Sequence, residues 1–176
     1  AAEMAIVDKH EPGTPAWVEL CTSDLDGAKA FYGGLFGWTA FEMPAHAGAY
    51  VMLRRNGIDV AATYGISAMQ TDKGIPPHWL IYFASDDIDA TVEKVKSAQG
   101  GVILGPFDVG PAGRSCIFAD RHGAMFACWQ AKDHIGSGIV NEPGTLSWPE
   151  LATPDAQVAQ EFYASVFGWQ PKQRSV

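Results

Sequence analysis

Glu19 stands in a short run, Trp17-Val18-Glu19-Leu20-Cys21, that reads as a strand. Strand side chains point to opposite faces in turn, so Trp17, Glu19 and Cys21 share one face and Val18 and Leu20 the other. A carboxylate beside an indole is placed to move a proton as a general acid or base. It would serve equally in an ion pair with an arginine, or at a cavity rim in reach of water. Trp17 offers a flat surface on which a planar ligand can stack, or a plug that fills the space. Two further runs alternate in the same way, aligning His78, Leu80 and Tyr82 on one strand and Met125, Ala127 and Trp129 on another. Glu19, His78 and the Tyr82 hydroxyl are therefore the candidate catalytic groups. Trp17, Glu19, Leu80 and Tyr82, with Met125, Ala127 and Trp129, are the candidate ligand contacts, because an apolar surface with a few oriented polar atoms is the usual form of a small-molecule site. Arg114, directly after Gly113, joins them as a group able to hold an anion; its alternative is to fix the neighbouring turn through Asp120. His78 also has a structural alternative, as a hydrogen-bonded residue opening a strand after Pro76-Pro77.

Those faces need elements to hold them. Runs rich in β-branched and aromatic residues, broken by Gly and Pro, predict strands near 16–21, 38–43, 49–55, 58–64, 78–84, 101–108, 114–119 and 124–130. Asp24 predicts the cap of a helix with Leu25, Ala28, Tyr32, Leu35 and Phe36 inward, ending at Gly37. Asp86 predicts a second, with Ile88, Val92, Val95 and Ala98 on one face and Gly100-Gly101 as its stop. Asp155 predicts a third, with Ala156, Ala159, Tyr163, Val166 and Phe167 inward. The loop from Gly65 to Pro77 is long enough to form a lid, or is a plain connector. The order is β-α-β-β-β twice, then β-α.

One stretch recurs. Trp17-Val18-Glu19-Leu20 through Phe31-Tyr32 to Phe36-Gly37-Trp38 returns as Trp148-Pro149-Glu150-Leu151 through Phe162-Tyr163 to Phe167-Gly168-Trp169, every pair 131 residues apart, and Gly13-Thr14 returns as Gly144-Thr145. A repeat of whole-domain length marks a duplicated domain. The expected organisation is a complete domain over 13–130, built of modules 14–66 and 76–130, then a Gly-rich polar linker over 131–145, then the first strand and helix of a second domain over 146–176. A lone strand and helix cannot bury their apolar faces. This last piece is expected to pack on the first domain, with the missing half of its own domain, or on a partner chain such as a second copy in a homodimer.

Composition excludes several classes. A formal charge of −8 and a pI near 4.9 are the wrong sign for a nucleic-acid partner. No apolar stretch reaches the ~20 residues of a membrane span, and Ala1 to His10 has neither the charged start nor the apolar run of a leader. Cys21, Cys116 and Cys128 are odd in number, lack metal-type spacing and lie in apolar runs, so they are expected as buried small hydrophobes. A cytoplasmic location is expected. Phosphate-binding glycine loops, nucleophile elbows and zinc-protease helices are not found.

The run from Asp24 to Trp38, Asp86-Asp87-Ile88-Asp89 and Asp120-Arg121-His122-Gly123 resemble the vicinal oxygen chelate superfamily, which includes glyoxalase I, bleomycin-resistance proteins, fosfomycin-resistance enzymes and extradiol dioxygenases. Gly110-Pro111-Ala112-Gly113-Arg114, with His134-Ile135-Gly136 and Asn141-Glu142-Pro143-Gly144-Thr145, is similar to two-domain glyoxalase-like proteins of actinobacteria. Some of those are described as hydroxylases near aromatic polyketide pathways. The resemblance implies an α+β fold in which paired βαβββ modules curl into a cup-shaped sheet that holds the ligand. It also implies a divalent metal, bound by His, Glu or Gln on four strands with positions open to two vicinal oxygens.

The sequence departs from that pattern. The positions matching three of the ligands carry Trp17, Leu80 and Ala127, and the strand matching the other reads Ile58-Asp59-Val60-Ala61-Ala62-Thr63, with no carboxylate near its end. No metal or other cofactor is therefore expected, a divalent ion on an unusual set such as Glu19 plus His78 being the alternative. The leading expectation is metal-independent binding of a small hydrophobic or aromatic metabolite, in the manner of a bleomycin-resistance protein. Next comes a metal-free hydroxylase-, lyase- or isomerase-like enzyme acting on an aromatic or enolisable molecule. A structural module whose cup is filled by Trp17 and Trp129 is the remaining reading.

Overall fold

The computed structural model describes residues 5–44 and 50–174; residue 49 of the expected third strand and residues 1–4 of the N-terminal stretch lie outside these. The chain forms two compact units, each built on one βαβββ module.

The first unit comprises residues 5–9, Trp17–Ile81 and Gly136–Trp148. It holds β1 (Pro15–Thr22), α1 (Leu25–Phe36), β2 (Thr39–Met43), β3 (Tyr50–Arg55), β4 (Ile58–Gly65) and the short α2 (Ala68–Asp72). The strands lie in the order β2-β3-β4-β1, antiparallel except for the parallel pair of β4 with β1. A parallel pair needs a long crossover, and here the whole of α1, β2 and β3 separates the two. Asp24 caps α1 by accepting from the Gly27 N–H at 2.9 Å, and the Gly37 N–H closes it on the Gly33 carbonyl at 2.9 Å. Beneath the helix Val51, Leu53 and Ala61 form the core with Val18, Leu25 and Trp38.

The second unit comprises His10–Ala16, Tyr82–Ile135 and residues 149–174. It contains the end of β5 (His78–Ala84), α3 (Ile88–Ser97), β6 (Gly101–Val109), β7 (Gly113–Ala119), β8 (Met125–Ala131) and α4 (Ala156–Phe167). The connectivity of the first unit repeats: β6-β7-β8 antiparallel, with β8 parallel to β5. The buried Phe118 and Phe126 stack, and α4 buries Ala159, Phe162 and Val166 in this unit.

The α+β class and the paired βαβββ modules stand as expected, and five local features differ. The cap of α3 is Asp87, whose carboxylate accepts from Ala90 N–H at 3.0 Å, not Asp86; adjacent aspartates cannot be ranked by sequence. The loop after β4 contains α2, held by a capping box between Ser67 and Gln70. None of the residues of α1 is buried, and Leu35, expected inward, is exposed. Residues 136–145, expected in a linker, are packed into the first unit: Ser137 donates to the Val60 carbonyl at 3.1 Å and Ile139 is fully buried. Finally, residues 146–153, the repeat of β1, lie outside any strand. β1 takes its parallel ladder from β4, and among the described residues no strand pairs with this segment in that way. Among the described residues no helix is long and apolar enough to cross a membrane.

The repeat extends to its turns. Glu11-Pro12-Gly13-Thr14 and Glu142-Pro143-Gly144-Thr145 are identical, and in both the Thr N–H and Oγ1 donate to the Glu carbonyl. Proline followed by a residue at positive φ is the pattern of a type II turn. Gly13 at φ +80° and Gly144 at φ +75° supply that geometry without a side-chain penalty.

Candidate functional site

In the first unit, β1 alternates as its sequence requires. Val18 packs beneath α1 with Leu25 and Trp38, and Leu20 borders a groove with Ala28 and Phe31, so both face the helix. Trp17, Glu19 and Cys21 occupy the opposite face. There the Tyr50 hydroxyl donates to Glu19 Oε2 at 2.8 Å. Burial pushes the Tyr50 pKa far up, the Glu19 charge and hydrogen bond add to this, and a hydrogen bond with Trp17 acts the other way. Tyr50 is thus a fixed donor at neutral pH and the carboxylate its acceptor. Tyr64, in register with both Cys21 and Tyr50, extends the cluster. Its pKa is pushed up to about 12, first by burial and then by Glu19 and Cys21, while Gln70 opposes. The Gln70 amide reaches Cys21 Sγ at 3.8 Å. The result is a patch of indole, two phenols, one carboxylate and one thiol, with Trp17 only 5% exposed.

Tyr50, Tyr64 and Gln70 were not among the expected site residues. The signal for the tyrosines was available: extending the period of two from β1 to β3 and β4 puts Tyr50 and Tyr64 opposite Val51 and Thr63. Gln70 had no such signal, because its place depends on the capped turn of α2. Leu80 is buried. His78 Nδ1 lies 2.8 Å from the Pro76 carbonyl; a carbonyl only accepts, so Nδ1 carries the proton. His78 borders the groove beside α1, a hollow of about 400 Å³ that Leu20, Thr22, Phe31, Tyr32 and Trp79 also line.

In the second unit, Tyr82 is level with Ala127 on the neighbouring strand, and both are buried. Alternation gives Met125, Ala127 and Trp129 the face opposite that of Phe126 and Cys128. Trp129 is tied down: its indole N–H donates to the His134 carbonyl at 2.7 Å. Arg114 lies on the α3 side, with Nη2 3.2 Å from Asp89 and Nη1 3.4 Å from Asp108. The expected link to Asp120 is not the one formed. That carboxylate accepts from the His122 and Ala124 N–H groups and from the Tyr163 hydroxyl at 2.9 Å. Arg114 reads on geometry as a clamp between β7 and α3. Cys21, Cys116 and Cys128 are free and buried, as expected; burial raises the Cys116 thiol to about 11 and pushes Cys128 further up.

A divalent metal needs several O, N or S donors converging on one point. Among the described residues no group of three or more His, Cys, Asp and Glu side chains gathers in this way. On the Glu19 face of the first unit the neighbouring strand positions are Val60, Ala62 and Tyr64, so the described residues there do not form the donor set that the family resemblance implies.

Fold and sequence together place the chain in a known class. The family described as the Glyoxalase/Bleomycin resistance protein/Dioxygenase superfamily matches residues 14–128, and the chain belongs to it. Among individual proteins it is 44% identical over 164 residues to CFP32 of Mycobacterium bovis, provisionally named a glyoxylase, covering 91% of this chain and 62% of that protein. It is 38% identical over 176 residues to the anthracycline biosynthesis protein DauV of Streptomyces sp. strain C5, covering 93% of this chain and 63% of DauV. The chain thus spans about three fifths of the length of these relatives. The Mn(II)-bound glyoxalase of Novosphingobium aromaticivorans shares the fold at 19% identity, with a TM-score of 0.64 over 90% of this chain and 54% of that one.

Proposed function

We propose that this chain binds a small, planar aromatic metabolite, without a metal ion, on the face of the first unit that carries Trp17, Glu19 and Tyr50. The observation that carries this reading is the hydrogen bond from Tyr50 to Glu19 beside the Trp17 indole. A flat ring stacks on an indole, while a carboxylate already oriented by a phenol offers an acceptor in fixed position for a ligand hydroxyl. The lack of such a donor set among the described residues supports metal independence, and the relation to a protein named for anthracycline biosynthesis supports the ligand class, since anthracyclines are fused planar aromatics. One fold hosts many chemistries, so the relation by itself assigns no activity. On this reading Leu80, of the same unit, lines the site, and Arg114 is not needed. Three free thiols suit the reducing cytoplasm.

The Glu19–Tyr50 pair also favours a second reading, in which Glu19 takes a proton from an enolisable aromatic substrate and Tyr50 orients it. Titration of tryptophan fluorescence with a hydroxylated anthraquinone tests the first reading: saturable quenching, lost in Trp17→Ala, is the expected result. Product analysis tests the second. Turnover that Glu19→Gln abolishes while binding persists would replace stoichiometric binding by catalysis.

A further inference from the structure

We propose that the open face of α1 is a docking seat for a further βαβββ module built like the second unit, carried by polypeptide that follows Val176. The repeat supplies the argument. Ala28, Phe31, Tyr32 and Leu35 of α1 stand 131 residues before Ala159, Phe162, Tyr163 and Val166 of α4. In α4 this face is closed: Phe162 is 2% exposed and Val166 3%. Phe162 meets Phe126 edge to face, with ring centroids 6.0 Å apart. It also fills the space over Gly100, where a Cβ would come within 2.7 Å of its ring. The Tyr163 hydroxyl is held by Asp120. The matching face of α1 has the same alanine, phenylalanine and tyrosine, with Leu35 where α4 has Val166, and among the described residues nothing covers it: Phe31 is 62% exposed and Leu35 59%. Beside them lies the groove of about 400 Å³, with Trp79 at its edge donating to the Tyr32 hydroxyl at 3.0 Å.

An apolar face of this kind marks an interaction surface. Its complement is already visible in the second unit, where β8 presents Phe126 and the turn after α3 presents Gly100. A second copy of this chain is a poor occupant, because its own α4 covers that surface. The period places the next such module after Val176, and the curated relatives, of which this chain spans 62–63%, have the length to include one. The groove is then a seat for protein and distinct from the Glu19 face, so the proposal stands or falls apart from the ligand reading.

The test compares maleimide labelling of Leu35→Cys in two chains: the 176-residue chain, and the same chain with a copy of residues 39–131 appended after Trp169, which continues the repeat in register. Val166→Cys in the 176-residue chain is the reference for a covered position. Leu35→Cys should label at least tenfold faster than Val166→Cys in the shorter chain and slow at least tenfold in the extended one. Equal rates in both chains, with the extended one melting cooperatively, would overturn the proposal. So would slow labelling in the dilute 176-residue chain, which would mean that something else covers α1. If the extended chain does not fold, a cysteine at the position of full-length CFP32 aligned with Leu35 decides: protection supports the seat, and fast labelling removes it.

Discussion

The Trp38 indole N–H donates to the Gly144 carbonyl at 2.8 Å, joining residues 106 apart in sequence. Its repeat, Trp169, donates to the Gly13 carbonyl at the same 2.8 Å. Gly13 and Gly144 are themselves repeats, so each copy of the tryptophan closes on the turn that opens the other copy. The exchange explains why the Glu-Pro-Gly-Thr turn is kept intact in both copies. The turn presents a carbonyl, and the tryptophan, stacked on Tyr32 and tilted against Phe36 in one unit, stacked on Tyr163 and Phe167 in the other, aims its one donor at it.

Replacing either tryptophan by phenylalanine keeps most of the apolar area and removes the donor. A half-buried carbonyl left without its partner costs about 1–2 kcal/mol, and the repeated geometry predicts similar losses for Trp38→Phe and Trp169→Phe. Urea denaturation of the two variants measures this. A loss in only one would show that the two bonds are not equivalent.

The two faces of the repeated helix predict unequal costs for the same substitution. Phe162→Ala empties a filled site and should cost about 3–5 kcal/mol, whereas Phe31→Ala in the 176-residue chain should cost under about 1 kcal/mol, as exposed positions do. Thermal melts of both variants provide the comparison.

Much of this arrangement was legible before any coordinates. Asp24 and Asp155 announced their helices, and a period of two separated Val18 from Glu19 correctly, because caps and alternation are local properties. What sequence did not yield was the partner of each face. Leu35 reads as core because its spacing is that of Val166, yet Val166 is buried within the second unit while among the described residues nothing covers Leu35. The segment 146–153 copies β1 in sequence, but a strand exists only by its ladder, and among the described residues none gives this segment the ladder that β4 gives β1. Arg114 was read by proximity to Asp120 along the chain, while its actual partners, Asp89 and Asp108, come from α3 and β6.

The half-buried phenols Tyr50 and Tyr64 predict a loss of stability in alkali. The Tyr64 pKa is raised in the folded chain to about 12 from an ordinary value of 10.0. Below pH ~10 both states are protonated and no penalty applies. Above it the unfolded chain ionises first, so stability falls as pH rises through the window up to about 12, and Tyr50, raised further, prolongs the fall. Chemical denaturation at stepped pH should show this decline, less steep in Tyr64→Phe. A flat profile between pH 10 and 12 would contradict the raised pKa values of this tyrosine pair.

Reactive thiolate is scarce when a thiol is buried and its pKa raised. Cys116 and Cys128 should therefore react with a disulfide reagent at pH 8 only after denaturant is added. Rapid reaction of the native chain would place them at an opening that their burial does not allow.

The most direct test of the ligand reading is an equilibrium titration with a hydroxylated anthraquinone before and after exhaustive chelation of the protein, on the native chain and on Trp17→Ala. The account predicts one saturable site whose affinity chelation leaves unchanged and Trp17→Ala weakens at least tenfold. Binding that disappears on chelation and returns with a divalent cation, or that ignores the loss of Trp17, would contradict it.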